Sequence, residues 1–398
     1  MISVQSAQQM MQKAIQPFPS VEQPLLKSYG CVLRADIVAD RPVPAGAMSV
    51  MDGIAVRYAS VKKGVRKFLI EGLQAAGHPA LDLKFADSCV QISTGALISG
   101  GCDTVIPIEK VKITEGKAMI AADLEVQKGQ FIRKAGSLYK AGAKLVKAGA
   151  VLGPVEIAVA GAVGAAQVTV SVPPQIAVVS TGDELVDIDQ PAEDYQIRKS
   201  NSLFIQAALQ RTQLFKADLY HFRDNLKVLK RQVGALLERY DALVTTGGVS
   251  MGELDLIPQT MADLNVECLF HKVKQRPGMP FWFGTTKSGK PVFALPGNPL
   301  AAQIGTYRHV IPQLKKALGS PVSKEYVVLT EPLEPPTRYA YYCPVTVDSH
   351  DNGNLSATPQ PYRNSGDFAA MVGTAGFVEI PPQSEKIKKG QPVSFYRW

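Results

Sequence analysis

The chain has 398 residues, more than a single hydrophobic core of roughly 250–300 residues accommodates, so several domains are expected. With 46% hydrophobic and 20% charged residues it belongs among folded rather than disordered chains, and 33 glycines and 28 prolines without a collagen-like period disfavour a helix-only fold. A formal charge of +8 attracts anions without naming one, while the absence of any Lys/Arg run longer than two residues argues against a nucleic-acid footprint.

The opening segment, MISVQSAQQMMQKAIQ, lacks the basic start and apolar core of a secretory leader and reads as an amphipathic helix. Pro42 and Pro44 then mark a boundary. From residue 44 to 138 the pattern is short and strand-like (GIAV, FLIEGL, VQISTGALI, TVIPIEKVKI, KAMIAADL), with Gly, Asp and Ser turns between, and predicts a β-rich module. Residues 139–172 return to a Gly/Ala-rich pattern. Order alone suggests that they join residues 1–43 in an N-terminal helical and linker domain into which the β module is inserted. Val151 to Val172 holds one charge, Glu156, and nearly meets the length test for a membrane span. Pro154, the glycines and the alternation from Gln167 to Val172 instead predict a buried small-residue helix and then a strand.

Residues 173–320 alternate apolar strands with periodic helices, the pattern of a three-layer α/β domain on a parallel sheet. Its strands are read at Ile176 to Ser180, Ala242 to Thr246 and Val292 to Leu295. Leu226, Leu229, Val233, Leu236 and Leu237 recur at helical spacing, with Lys227 to Arg231 as a solvated face, and Ser200-Asn201-Ser202 supplies capping residues to another helix. After Pro321 the strand-like runs YVVLTEPL, YAYYCPVTV, GFVEIPP and PVSFYRW, with a turn at His350 to Gly353, predict a small barrel-like β domain over 321–398.

All three strands of the α/β domain run into glycine-bearing polar loops: Ser180-Thr181-Gly182-Asp183-Glu184, Thr246-Gly247-Gly248-Val249-Ser250 and Pro296-Gly297-Asn298-Pro299. In parallel sheets the ligand crevice lies at the carboxyl ends of the strands, so these loops are expected to converge on one pocket. Glycine lets backbone N–H groups approach an anion, and Ser/Thr hydroxyls add donors. Each loop alone is what a strand-to-helix turn needs anyway; three together favour function. Glu184, Glu253 and Asp255 place carboxylates beside these donors, a mixture that Mg²⁺ reconciles when one or two carboxylates and substrate phosphates hold it. The five cysteines are scattered without a CxxC, which suggests neither disulfides nor zinc and fits a reducing cytoplasm, and the five histidines show no metal-ligand spacing.

These residues resemble a known family, the molybdopterin molybdenumtransferases, which include the E domain of gephyrin. Ser49-Val50-Met51-Asp52-Gly53-Ile54-Ala55 is similar to its S-x-M-D-G-Y-A. Thr94-Gly95-Ala96 with Gly101, Asp103 and Val105 resembles its T-G-A-x-x-P-x-G-x-D-x-V, and STGDEL (180–185), GGVSMGE (247–253), RPGMPFWFG (276–284) and LPGNP (295–299) resemble the rest of its signature. The resemblance implies insertion of molybdate into adenylylated molybdopterin with release of AMP. It also implies a cytoplasmic homodimer with Mg²⁺, acting between an upstream molybdopterin adenylyltransferase and downstream cofactor-modifying or acceptor proteins, without nucleic acid or membrane. By that similarity Asp52 and Thr94 reach across a subunit interface to a pocket lined by Glu184, Asp224, Ser250 and Asp255. Thr181, Gly182, Gly247, Gly248, Pro296, Gly297 and Asn298 bind substrate, Arg276 meets its anion, and Arg338 and Ser365 hold molybdate. Asp52, Glu184 and Asp255 are the implied metal ligands.

The chain also departs from the family pattern. K-P-G-K-P becomes Arg276-Pro277-Gly278-Met279-Pro280, replacing an expected molybdate-contacting lysine; one charged hydrogen bond is worth roughly 1.5–3 kcal/mol, or about 10–150-fold in binding. R-x-R-G-E-D becomes Arg133-Lys134-Ala135-Gly136-Ser137-Leu138, and Lys199 replaces an acidic residue. These changes leave a second reading open, a divergent, catalytically weakened paralogue that binds or carries molybdopterin or its metal cofactor without inserting metal.

Overall fold

A computed structural model describes residues 1–249, 255–334, 338–382 and 386–398. The chain forms two compact units, one of residues 36–147 and 158–166, the other of residues 1–35, 148–157 and 167–398.

In the smaller unit six strands lie in the order Thr104–Pro107, Gly53–Val56, Ser88–Ile92, Lys67–Gln74, Lys117–Ile120, Val111–Thr114, antiparallel except between Lys67–Gln74 and Ser88–Ile92. Period-2 alternation sends Ile54, Val56, Phe68, Cys89, Ile106 and Ala118 to one core and Ala55, Ile92 and Val105 to another.

The larger unit carries a six-stranded sheet in the order Lys216–Phe222, Gln175–Thr181, Ala242–Thr246, Pro291–Leu295, Trp282–Thr285, Glu267–His271. The first four strands are parallel, as expected, whereas Trp282–Thr285 runs antiparallel to both its neighbours, Pro291–Leu295 and Glu267–His271. The link from Trp282–Thr285 to Pro291–Leu295 is too short for a crossover helix, so the chain can only turn back on itself. Alternate residues of the central strands face opposite layers. Ile176, Val178 and Val244 pack with Ile205, Leu209 and Leu300, and with Val4, Ala7 and Met11 of the amphipathic helix Val4–Ala14. Ala177, Val179 and Leu243 pack with Val233, Leu236 and Met261. This is the three-layer arrangement read from the sequence, and Lys227, Lys230 and Arg231 lie on the solvated face of helix Leu226–Arg239.

Farther along, Ala340–Ser349 pairs with both Leu355–Pro359 and Gly376–Ile380, and Glu325–Leu329 and Pro392–Arg397 complete a closed five-stranded barrel. The short strand Gln275–Arg276 extends from the α/β layer and pairs with Ala340 and Tyr341.

Two expectations are corrected. Helix Pro154–Ala162 exists but is not buried: Ala160 is its one buried residue and Val155 is 69% exposed. Its small side chains carry little apolar area, so a single narrow stripe is all it buries. Ser200 occupies the N-cap position of helix Asn201–Arg211 in a helical conformation and makes no side-chain cap bond. No helix among the described residues is long and apolar enough to cross a membrane, and all five cysteines are free.

Candidate functional site

Register aligns the three strand ends: Ser180 pairs with Thr246 and Thr246 with Leu295, so the loops that follow emerge side by side. The Gly247 N–H donates to the Leu295 carbonyl at 3.2 Å and Thr246 Oγ1 donates to the Pro296 carbonyl at 3.1 Å. Asn201 Nδ2 ties the group together, donating to Thr246 Oγ1 at 3.1 Å and to the Gly297 carbonyl at 2.7 Å. Gly247 and Gly248 adopt φ of 94° and 63°, and a Cβ on Gly247 would lie 2.7 Å from the Thr181 carbonyl oxygen. Only glycine permits that approach. Thr181 Oγ1 and Asn201 Oδ1 are buried there with no hydrogen-bond partner among the described residues. Such orphaned polar atoms are uncommon in native cores, and a ligand's polar groups are well suited to satisfy them.

One side of the crevice is acidic. The Asp224 N–H donates to Asp183 Oδ1 at 3.3 Å. Burial first, then the carboxylates of Asp183, Glu184 and Asp255, push the Asp224 carboxyl above the usual carboxylate range. A folded-state pKa raised in this way supports stability at low pH, and that support is lost as pH rises through it. Asp224→Asn is therefore expected to raise the thermal midpoint at about pH 7, with the gain vanishing near pH ~3, where aspartate is protonated in both states. A lower midpoint for the variant at neutral pH would show that the carboxylates do not crowd. Close by, burial and then Lys199 lower the pKa of His221, while Lys199 itself pairs with Asp187.

Several sequence-predicted residues meet here. Ser365 Oγ accepts from Asn298 Nδ2 at 2.9 Å and the Ser365 carbonyl accepts from the Leu300 N–H at 3.1 Å, bringing that residue onto the Pro296–Asn298 loop. Asn298 caps helix Pro299–Gly305 in position, with Pro299 at its first turn as expected. Arg276 is exposed and held by strand pairing to Tyr341; Arg338 lies two residues before Ala340, the partner of Gln275. Met279 is half-buried, and its carbonyl accepts from the Val273 and Phe281 N–H groups at 2.9 and 2.8 Å. Asp52 and Thr94 belong to the smaller unit, where the Thr94 N–H donates to Asp52 Oδ1 at 2.6 Å. Ser137 and Leu138 lie in that unit too, in a turn where the Leu138 N–H donates to the Val43 carbonyl at 3.0 Å. Ser250 and Glu253 fall outside the described residues.

Two sets of residues were missed. Asn201 carries the signal of a helix cap, as any Asn before an apolar run does whatever its side chain reaches. The 275–279 turn rests on a buried relay: His309 Nε2 to Gln275 Oε1 at 2.8 Å, and Gln275 Nε2 to the Gly278 carbonyl at 2.8 Å. His309 is fully buried and stacks on Phe281 at 4.9 Å, and burial holds its pKa well below the usual value, so the neutral ring donates from Nε2. No sequence spacing reports a pair so distant in the chain.

A sheet whose parallel strands carry three interlocked glycine loops at their carboxyl ends, with buried polar atoms and an acidic side, defines an α/β domain of the molybdopterin-binding class. Residues 177–316 match the model of a probable molybdopterin binding domain, residues 2–164 that of the MoeA N-terminal region (domain I and II), and residues 326–398 that of the MoeA C-terminal region (domain IV). The chain is 32% identical over 399 residues to a molybdopterin molybdenumtransferase of Synechocystis, covering 100% of both chains, and 28% identical over 390 residues to one of Haemophilus influenzae, covering 95% and 94%. The crystal structure of a molybdopterin biosynthesis MoeA protein from Pyrococcus horikoshii superimposes with a TM-score of 0.84 at 27% identity, covering 100% of this chain and 98% of that one. The chain belongs to the molybdopterin molybdenumtransferase family, transferases of molybdenum cofactor biosynthesis. Nothing among these relatives favours the reading of a cofactor carrier.

Proposed function

We propose that this chain inserts molybdate into adenylylated molybdopterin and releases AMP. The observation that carries this is the interlocking of Thr181, Gly247, Gly248, Gly297 and Asn201, which leaves Thr181 Oγ1 buried and without a hydrogen-bond partner among the described residues, beside backbone able to meet a phosphate. Gly182, Pro296 and Asn298 complete the backbone cradle. Arg276 neutralises substrate charge, and Ser365 and Arg338 receive the oxyanion. Metal insertion as such is tested with purified protein, adenylylated molybdopterin and molybdate: molybdate-dependent AMP release is the expected result, and its absence would refute the reading.

Mg²⁺ suits the acidic side, because the carboxylates that, after burial, raise the Asp224 pKa repel one another and a divalent cation offsets that repulsion. Among the described residues no three carboxylate, His or Cys side chains are arranged as a ready metal cage. Mg²⁺ needs none when it takes one or two carboxylates and substrate oxygens. Glu184 and Asp255, with Asp52, are the proposed ligands; bound there, Mg²⁺ would offset phosphate charge. Asp224 holds the acidic side in place through its N–H bond to Asp183. The protein is proposed to act as a cytoplasmic homodimer to which Asp52 and Thr94 contribute from the neighbouring subunit, receiving substrate from the adenylyltransferase and passing product to cofactor-modifying or acceptor proteins. The four-part division at residues 43, 138, 172 and 320 is kept as part of this reading.

Met279 is the departure with a direct test. Met279→Lys should lower the molybdate concentration for half-maximal AMP release by about tenfold, the low end for a charged hydrogen bond because the side chain is half solvated. An unchanged half-saturation would mean that another group already makes this contact.

A further inference from the structure

Apart from the strand-end crevice and sharing no residue with it, the larger unit carries a second, partly open cavity of about 620 Å³ between helices of the α/β layer and the barrel. Its wall carries Arg211 at the end of helix Asn201–Arg211, Lys315 and Lys316 in helix Ile311–Ala317, and Lys324. Two more arginines line it, and each is neutralised: Arg308 pairs with Glu379 at 2.7 Å and Arg397 with Glu325 at 3.1 Å. Glu325 and Glu379 are the acidic side chains of the wall against six basic ones; of these Lys316 donates from Nζ to Gln12 Oε1 at 3.2 Å. The cations feel one another: the Lys316 pKa is lowered, first by burial and then by Arg308 and Lys324. A cleft with one sign of excess charge concentrates counter-ions.

The same wall is aromatic. Tyr307 and Trp398 meet edge to face with centroids 5.6 Å apart, and the Trp398 Nε1–H donates to Thr374 Oγ1 at 2.9 Å, which fixes the ring. Tyr396, also in the wall, is already covered, by Phe377 stacked at 5.1 Å and by the Arg308 guanidinium 5.1 Å from its centroid. The volume falls within the ~300–1,000 Å³ typical of small-molecule sites and is far larger than an inorganic ion requires. Tyr307 and Trp398 offer apolar surface to a planar body, while several cations lining one cavity suit a multiply charged anion better than a single carboxylate.

We propose that this cavity is a second binding site, one that takes a phosphate-bearing metabolite with a planar ring, of the nucleoside-phosphate class. Trp398 provides the readout, since the chain has two tryptophans and the other, Trp282, is buried in a different core. In a Trp282→Phe background whose fold is checked by circular dichroism, AMP should change Trp398 emission saturably. Adenosine and inorganic phosphate should each be at least about tenfold weaker, and adding Arg211→Gln with Lys324→Gln should weaken AMP by about tenfold or more, a loss of ~1.4 kcal/mol. Inorganic phosphate matching AMP would overturn the planar-ligand assignment. Absence of an AMP response, or a response indifferent to the double substitution, would overturn the site. The dependence on Arg211 and Lys324 separates this outcome from binding in the strand-end crevice, so the inference stands or falls independently of the proposed function.

Discussion

Asp52→Ala is expected to reduce molybdate-dependent AMP release by about 100-fold or more, the scale on which loss of a charge-stabilising group acts in a transition state. Its effect on stability should be small. Asp52 Oδ1 accepts one exposed N–H bond, from Thr94, and the same turn keeps backbone bonds from Ser49 to Ala96 and from Gly95 to Ser49, each at 2.9 Å. Losing the exposed charged bond should cost about 1 kcal/mol in urea unfolding. Asp52→Asn separates two roles, because the amide oxygen can still accept from Thr94 while the charge is gone. If charge is what matters, Asn is as inactive as Ala; if holding the turn matters, Asn retains most of the activity. Full turnover by the alanine variant would remove Asp52 from the site.

Gly247→Ala should be the most damaging single methyl group in the crevice. The residue sits at φ 94°, and the added carbon would lie 2.7 Å from the Thr181 carbonyl and 3.2 Å from its Oγ1. Positive-φ strain of roughly 1–2 kcal/mol and overpacking of roughly 1–3 kcal/mol together predict a loss of about 2–4 kcal/mol. Because Thr181 must shift, substrate affinity should fall as well. Gly116→Ala is the matched control: φ is 71° and nothing lies within 4 Å of the new carbon, so strain alone should appear, about 1 kcal/mol. Equal losses at the two positions would show that the Thr181 and Gly247 loops are not in contact.

The acidic side and the cation-lined cavity are opposite electrostatic cases in one chain. At Asp224 burial and then neighbouring carboxylates raise the pKa of a carboxyl; at Lys316 burial and then neighbouring cations lower that of an ammonium. Both are places where a counter-ion lowers the free energy of the native state.

What the sequence by itself determined is whatever is written locally: the continuous apolar runs within Gln175–Thr181 and Pro291–Leu295, the leucine stripe of Leu226–Arg239, and glycines placed where strands end. Those signals are local because a strand's two faces and a helix's stripe repeat within a few residues. Ordered motifs added the family, down to Met279 where a lysine was expected. The tertiary structure alone decided which polar residues meet. Asn201 reaches Gly297 across 96 positions and Asn298 reaches Ser365 across 67. His309 fixes Gln275 and through it the 275–279 turn, while helix Pro154–Ala162 leaves most of its apolar stretch exposed. Periodicity reports which face of an element is apolar; it carries no information about which partner, far along the chain, register and loop length will bring against that face.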